Sequence, residues 1–288
     1  MRWKIDPPLR QNNLMKPTDQ KRALNCAVVA ARAAGRLMRQ NLRAAKKINS
    51  KSLHDIKLEL DVRCQKLIGK ILAAEFPEVA LLGEEGIAGN QNAPERWVVD
   101  PIDGTVNFAY GIPHACVSIA LQVRSSKFKV QGLKLKGSTP QVEEYETVVG
   151  VIYDPFCDEL WTAIRGQPAR LNGSVIHVSD RGQLRETIVA IGFAKSRHSL
   201  ELTLPYFNKL VRRVRKVRMT GSAALMLAYV ATGRFDAYIE RGIRLWDIAA
   251  GGLIVECAGG EFWHEAVSGG YTYRMIASNG LLRKKLEL

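Results

Sequence analysis

The sequence predicts an α/β or α+β fold, layered from helices and at least two sheets. Two long stretches with helical apolar spacing open the chain, and short strand-like apolar runs fill its middle. Strands then alternate with apolar helices closed by glycine.

Met1 to Lys16 is polar and Pro-containing, with no apolar h-region, so residues 1–17 read as a loosely ordered arm and not a signal peptide. Thr18 to Ala45 reads as an amphipathic helix, with Thr18 as its cap and Leu24, Val28, Ala31 and Leu37 on one side. The polar stretch Asn49 to Ser52 breaks the pattern. A second helix runs from Leu60 to Glu75 and ends before Pro77, with Leu67, Ile68, Ile71 and Leu72 facing inward. Strand-like runs follow at Ala80–Leu82, Trp97–Asp100, Cys116–Val123, Lys127–Leu135, Glu144–Tyr153 and Glu159–Ile164. Ser125–Thr147, rich in Lys, Gly and Ser, reads as a peripheral hairpin with a mobile tip.

The tight-turn pair Asn172-Gly173 starts the second half. A strand at Glu186–Gly192 and a helix at Leu200–Val211 come next. The apolar helix Ala223–Ala231 is closed by Gly233, and the apolar helix Asp247–Cys257 by Gly259-Gly260. Between them lies the strand Phe235–Glu240; Arg274–Ala277 is the last strand, before a basic C-terminal turn. The expected division is an N-terminal α+β lobe over 18–171 and a C-terminal α/β lobe over 172–288.

At 288 residues and 47% hydrophobic content the chain can bury a sizeable core. No apolar run reaches the roughly 18–20 residues that span a bilayer. The five cysteines (Cys26, Cys64, Cys116, Cys157, Cys257) are scattered and lack CxxC spacing, which argues for thiols of a reducing, cytoplasmic compartment. A net charge of +14 suits anionic partners: phosphorylated substrates, nucleic acid or an anionic membrane surface. The densest basic run, Arg212 to Arg218, also reads as a solvated face whose valines point inward, and no RNA-binding pattern of interleaved aromatics and Gly accompanies it. None of the five histidines falls in a metal spacing, and no Gly-x-Ser-x-Gly elbow occurs.

The chemistry concentrates in three acidic clusters. Glu84-Glu85 follows the apolar run Val79–Leu82, Asp100-Pro101-Ile102-Asp103-Gly104-Thr105 follows Trp97–Val99, and Asp247 opens an apolar helix. Solvated acidic loops need no apolar lead-in, so these carboxylates belong at strand ends on the edge of a core. Gathered there, they repel one another unless cations bind between them. An oxygen-rich set suits Mg²⁺, with Mn²⁺ as an alternative, and two such ions can clamp a phosphoryl transfer. Each cluster alone also has a structural reading: Glu84-Glu85 as a solvated turn, and Asp103 and Asp247 as helix caps.

Over roughly residues 20–285 the chain resembles the inositol monophosphatase family of metal-dependent, lithium-sensitive phosphatases. The segments that carry the resemblance, in family order, start with Gly83-Glu84-Glu85-Gly86, Trp97 to Phe108, and Val149 to Pro155. They continue with Leu171-Asn172-Gly173, Gly221-Ser222-Ala223-Ala224, Trp246 to Gly251, and Ala277-Ser278-Asn279-Gly280. The resemblance implies an αβαβα sandwich, a homodimer, and two or three Mg²⁺ ions held by Glu84, Asp100, the carbonyl of Ile102, Asp103 and Asp247. It implies that Asp61 and Thr105 pair to orient and deprotonate the attacking water, with Glu84 assisting. Gly104 and Thr105 would hold the phosphate, while Ser222, Ala223 and Glu240 would line the substrate pocket; Glu85 stands behind the ligands.

Three departures stand out. Leu58 occupies the place of a family Thr three residues before Asp61, although Asp55 keeps the register; Ser125–Thr147 is longer than the usual connection; and Arg244 adds a cation after Glu240 that would favour a second acidic group on the substrate. Within the family, Val106-Asn107-Phe108 and Tyr110-Gly111-Ile112-Pro113 resemble the inositol-phosphate branch. Fructose 1,6-bisphosphate, 3′-phosphoadenosine 5′-phosphate and histidinol phosphate remain alternative substrates. A basic protein that binds RNA or a transcription complex on the same fold is the reading from another class.

Overall fold

Helix α1 (Pro17–Asn41) starts one residue before the expected cap, because Pro17 takes the first helical positions, where its missing N–H is no loss. It stops at Asn41, short of Ala45. The Lys46 ammonium there donates to the carbonyls of Asn41 and Leu42 at 2.7 Å and of Ala44 at 2.8 Å. The computed structural model describes residues 16–51, 56–125, 145–193, 197–267 and 270–286. The arm before residue 16, Asp55, the strand expected at Lys127–Leu135 and the tip of the Ser125–Thr147 hairpin lie outside the described residues.

Strands β1 (Ile48–Lys51) and β2 (Ile56–Leu58) form a small antiparallel ladder where the sequence shows only a polar break. Every residue of β1 is exposed, so no alternation marks it. Next come α2 (Glu59–Glu75), β3 (Ala80–Gly83), β4 (Gly86–Ala88), β5 (Glu95–Asp103), α3 (Thr105–Ala109) and β6 (Cys116–Arg124). After them lie β7 (Tyr145–Asp154), β8 (Glu159–Ile164), β9 (Arg170–Leu171) and β10 (Ser174–Val175). Asn172 and Gly173, both at positive φ (49° and 84°), turn β9 into β10. The last third holds β11 (Ile188–Ile191), α4 (Arg197–Leu210), β12 (Lys216–Arg218), α5 (Ala223–Ala231) and β13 (Ala237–Arg244). It ends with α6 (Leu245–Cys257), β14 (Glu261–Ala266) and β15 (Thr272–Ser278).

Among the described residues eight strands build one mixed sheet in the order β10-β9-β8-β7-β6-β5-β3-β4, and five build a second in the order β12-β11-β13-β15-β14. Three apolar clusters show how they stack. The first joins Ala27, Ala31 and Ile68 of α1 and α2 to Trp97, Val99, Ile119 and Val151 on one face of the large sheet. The second joins the opposite face, through Val98, Ala120, Ile152 and Trp161, to α5 and α6 and on to Tyr238, Met275 and Ala277 of the small sheet. The third seals the far face of that sheet, through Val189, Ile191 and Ile239, under Leu210 of α4. The order is helix, sheet, helix, sheet, helix, which is the expected αβαβα sandwich.

Helix α6 lies in the middle layer, and its residues Ile248 to Val255 are all buried. A Cβ on Gly150 of β7 would lie 2.8 Å from the Ala250 carbonyl, so only glycine lets α6 pack flush on the large sheet. Among the described residues no helix is long and apolar enough to cross a membrane.

Candidate active site

Two apolar strands end in carboxylates, as their sequences predict. β3 delivers Glu84, whose N–H donates to the Val99 carbonyl at 3.1 Å. β5 delivers Asp100 and Asp103, which would face opposite sides of a regular strand because side chains alternate. Here Asp100 stands opposite Ser118 and Asp103 opposite Cys116, so three steps on β5 match two on β6. The extra residue makes a bulge between Asp100 and Asp103, a stretch in which Pro101 has no N–H to give the ladder. It brings both carboxylates to one side. Asp247, in the first turn of α6, completes the group: one oxygen from each of Asp100, Asp103 and Asp247 lies within 4.8 Å of the others.

Each aspartate is fixed by donors. Asp100 Oδ1 accepts the Ile102 N–H at 3.0 Å, and Asp247 Oδ2 accepts the Arg244 N–H at 3.0 Å. Asp103 accepts the Ser222 hydroxyl at 2.6 Å, the Ala224 N–H at 2.7 Å and the Ala223 N–H at 3.1 Å. It thereby caps α5 from a strand far away in sequence, satisfying N–H groups that the helix itself leaves free. Ser222, expected to line the substrate pocket, is fully buried and spends its hydroxyl on Asp103.

The electrostatics are lopsided. Burial raises the Asp100 carboxyl well above its usual range, and the negative charges of Glu84, Asp103, Asp247 and Asp61 raise it further. Asp247 is pushed up by burial and then by Asp103 and Glu84, against the Arg244 N–H. Burial also raises Asp103, opposed by its donors from Ser222, Ala224 and Ala223. Among the described residues no lysine or arginine pairs with Asp61, Asp100, Asp103 or Asp247. Two buried carboxylates and a half-buried one, with converging oxygens and no cationic side chain, fit a hard divalent cation, which prefers oxygen donors.

The expected water-activating pair stands differently. Asp61 is 3% exposed; its Oδ2 accepts the Leu58 N–H at 2.7 Å, while its Oδ1 is buried with no hydrogen-bond partner. Burial drives its pKa up to about 8, with Glu85 and Glu84 adding and the Leu58 N–H and Lys57 opposing. Thr105 donates its hydroxyl to the Ile102 carbonyl at 2.8 Å, and no hydrogen bond joins it to Asp61. Gly104, at φ 95°, precedes α3; a Cβ there would meet the His114 carbonyl at 3.0 Å.

Glu240 is half-buried on β13 and accepts the Tyr238 hydroxyl. A Cβ on Gly192 would coincide with its carboxylate, so Gly192 leaves room for it. Glu85 pairs instead with Lys57 at 3.2 Å, and its N–H donates to Gln65. Arg244 meets the acidic group through its backbone N–H alone: its guanidinium donates to Thr272 at 2.6 Å and to the Gly270 carbonyl at 3.1 Å. One residue has no role in the sequence reading. Asn107 Nδ2 donates to the His114 carbonyl at 2.9 Å and the Thr220 carbonyl at 2.8 Å, tying α3 to the loop that starts α5. In the sequence it stands out only within Val106-Asn107-Phe108, just past the acidic motif.

A sequence profile of the Inositol monophosphatase family matches residues 19–130 and 141–285. The chain is 40% identical over 245 residues to the Nus factor SuhB of Xylella fastidiosa, covering 84% of this chain and 81% of that protein. It is 38% identical over 245 residues to inositol monophosphatase 2 of Solanum lycopersicum, covering 82% and 85%. The crystal structure of extragenic suppressor protein SuhB from Bartonella henselae superposes with a TM-score of 0.78 at 33% identity, covering 92% of this chain and 96% of that one.

Proposed function

The chain belongs to the inositol monophosphatase family, and from that premise we propose that it hydrolyses the monoester of a small phosphorylated polyol, inositol monophosphate. The observation that carries this reading is the convergence of Asp100, Asp103 and Asp247 within 4.8 Å, beside a buried Asp61 whose Oδ1 has no partner. Glu84, Asp100, the Ile102 carbonyl, Asp103 and Asp247 would hold two or three Mg²⁺ ions. When bound, the ions supply neutralisation of the phosphoryl oxygens, a more acidic water and a stabilised leaving alkoxide.

The chain's own groups do the rest. In the metal-free protein burial raises the Asp61 pKa to about 8, so the group acts as a base only once ionised; cations held by the neighbouring carboxylates would favour that form, whose partnerless Oδ1 can take a proton from water. Thr105 gives its hydroxyl proton to Ile102, which leaves the oxygen as an acceptor that orients that water. The N–H groups of Gly104 and Thr105 face the phosphate. Glu240 accepts hydrogen bonds from the hydroxyls of the polyol, and Ala223 contributes wall. Ser222 acts through Asp103 and not on substrate.

The test is phosphate release with Mg²⁺ from inositol 1-phosphate, fructose 1,6-bisphosphate, 3′-phosphoadenosine 5′-phosphate and histidinol phosphate, with and without lithium. Preference for inositol 1-phosphate, lost on chelation and inhibited by lithium, is the expected result. Preference for another member moves the chain to that branch, and silence across the panel removes the enzymatic reading.

The +14 charge and relatives named Nus factor favour a second reading, in which the chain also joins a transcription complex or RNA. Retention of a structured RNA at physiological salt is the expected sign; affinity that vanishes with modest salt, without sequence preference, removes it. A homodimer belongs to the same proposal, and sedimentation equilibrium checks it.

A further inference from the structure

The far face of the small sheet carries a feature that the acidic site does not use. A cavity of about 310 Å³ opens between α4 and β13, lined by Leu202, Pro205, Tyr206, Lys209, Leu210, Arg213 and Arg241. Three of these side chains are cations and none is a carboxylate. Among the described residues no ion pair or side-chain hydrogen bond engages Lys209, Arg213 or Arg241. The Arg241 Nε is buried and has no hydrogen-bond partner. An unsatisfied buried donor on a charged group is costly, and a partner for it is the expected state.

The site is separate from the acidic cluster. Ala237 and Ile239 of β13 pack in the core under α4, whereas Tyr238 packs in the core under α5 and α6. Arg241 lines the α4 side with the odd-numbered residues, and Glu240 lies on the other face with Tyr238. Burial lowers the pKa of Arg241, and the positive charge of Arg274 lowers it further. Arg274 itself is paired, to Glu265, so it adds field without needing the same partner. A guanidinium donates through a planar fork that matches phosphate oxygens, and two more cations converge on the same recess. The Tyr206 ring closes one wall, with its hydroxyl donating to the Leu286 carbonyl at 3.2 Å. The volume is at the small end of ligand sites, which suits a compact anion and not an extended chain.

We propose that this recess is a binding site for a phosphate group, with Arg241 as its anchor and Lys209 and Arg213 as its rim. The group could be inorganic phosphate or the phosphoryl end of a small monoester; the shared chemistry is a tetrahedral dianion. The inference does not rest on the catalytic reading.

The experiment titrates the full-length, metal-free protein by calorimetry at fixed ionic strength. One arm uses inorganic phosphate, one inositol 1-phosphate, and one chloride. The variants are Arg241→Met, Lys209→Met on the exposed rim, and Asp247→Asn in the acidic site. Saturable binding that weakens about tenfold in Arg241→Met, and measurably in Lys209→Met, with Asp247→Asn unchanged, is expected. The tighter arm names the source. No saturable binding in the wild type, binding indifferent to both recess variants, or binding lost only in Asp247→Asn overturns the proposal. Circular dichroism separates an unfolded Arg241→Met from a folded one, and Lys209→Met alone decides the case if Arg241→Met does not fold.

Discussion

Asp103 and Asp61 are both buried carboxylates beside the same acidic cluster, yet they are held in opposite ways. Asp103 receives donors from Ser222, Ala223, Ala224 and the Cys116 thiol, and so carries the α5 N-terminus as well as its share of the cluster. Asp61 receives one donor, from its own helix start, and keeps an oxygen buried without a partner. The first arrangement is complete within the protein. The second leaves one acceptor open, on the side where the proposed reaction would move a proton. Structural satisfaction thus falls where the scaffold needs rigidity, and the missing hydrogen bond falls where the proposed reaction would need an acceptor.

The largest effect expected on this contrast is at Asp100. Asp100→Asn keeps an oxygen for the Ile102 N–H but removes a charge that every neighbouring carboxylate opposes. Mg²⁺-dependent phosphate release should drop by about a thousandfold, equivalent to roughly 4 kcal/mol of barrier. Thermal stability in chelator should hold or rise. Turnover close to wild type would take Asp100 out of the reaction.

Asp103→Asn should lose activity similarly but also lose stability, by about 1–3 kcal/mol, because the amide has a single oxygen where the carboxylate accepts through two, and its NH2 would face a donor. Chemical denaturation of the two variants side by side checks the difference; equal stabilities would break the claim that Asp103 caps α5.

On the Asp61 side the expectation concerns pH. The folded carboxyl titrates near pH 8, whereas an unfolded aspartate titrates near about 3.9. Between those values the folded protein holds a proton that the unfolded chain has lost. Metal-free stability should therefore fall as pH rises from about 4 to about 8. Asp61→Asn should flatten this slope in denaturation curves taken across the range, and an unchanged slope would assign it to the other carboxylates.

The smallest effect is expected from Leu58→Thr. A hydroxyl at this helix start contributes roughly 0.5–2 kcal/mol as a cap, and the lost apolar burial offsets about as much. Net stability should move by less than about 1 kcal/mol, while turnover rises a few-fold as the hydroxyl steadies Asp61. Lower turnover in Leu58→Thr would mean that the loose carboxylate is the working state.

What the sequence makes legible follows from how local each cause is. Glu84, Asp100 and Asp247 are readable because an apolar run leads into or out of each one, and α6 because its apolar residues run on without a polar break. The layering follows from strands and helices that are each buried on recognisable faces. The bulge between Asp100 and Asp103 is not readable, since it exists only relative to the pairing of Asp100 with Ser118 and Asp103 with Cys116. The capping of α5 by Asp103 joins residues more than a hundred positions apart, and nothing near either end announces it. Strands β1 and β14 are largely exposed and carry no alternation to find. The partner of the Arg244 guanidinium is hidden for the same reason: its position beside the site is local, but Thr272 is brought in by the pairing of β13 with β15.

The central claim is that the acidic cluster is a divalent-cation centre. Calorimetric titration of Mg²⁺ into the metal-free protein, with Asp100→Asn measured alongside, tests it most directly. Saturable Mg²⁺ binding by the wild type, accompanied by thermal stabilisation and lost in Asp100→Asn, is the predicted result. Equal binding by both proteins, or none by the wild type, would contradict the account.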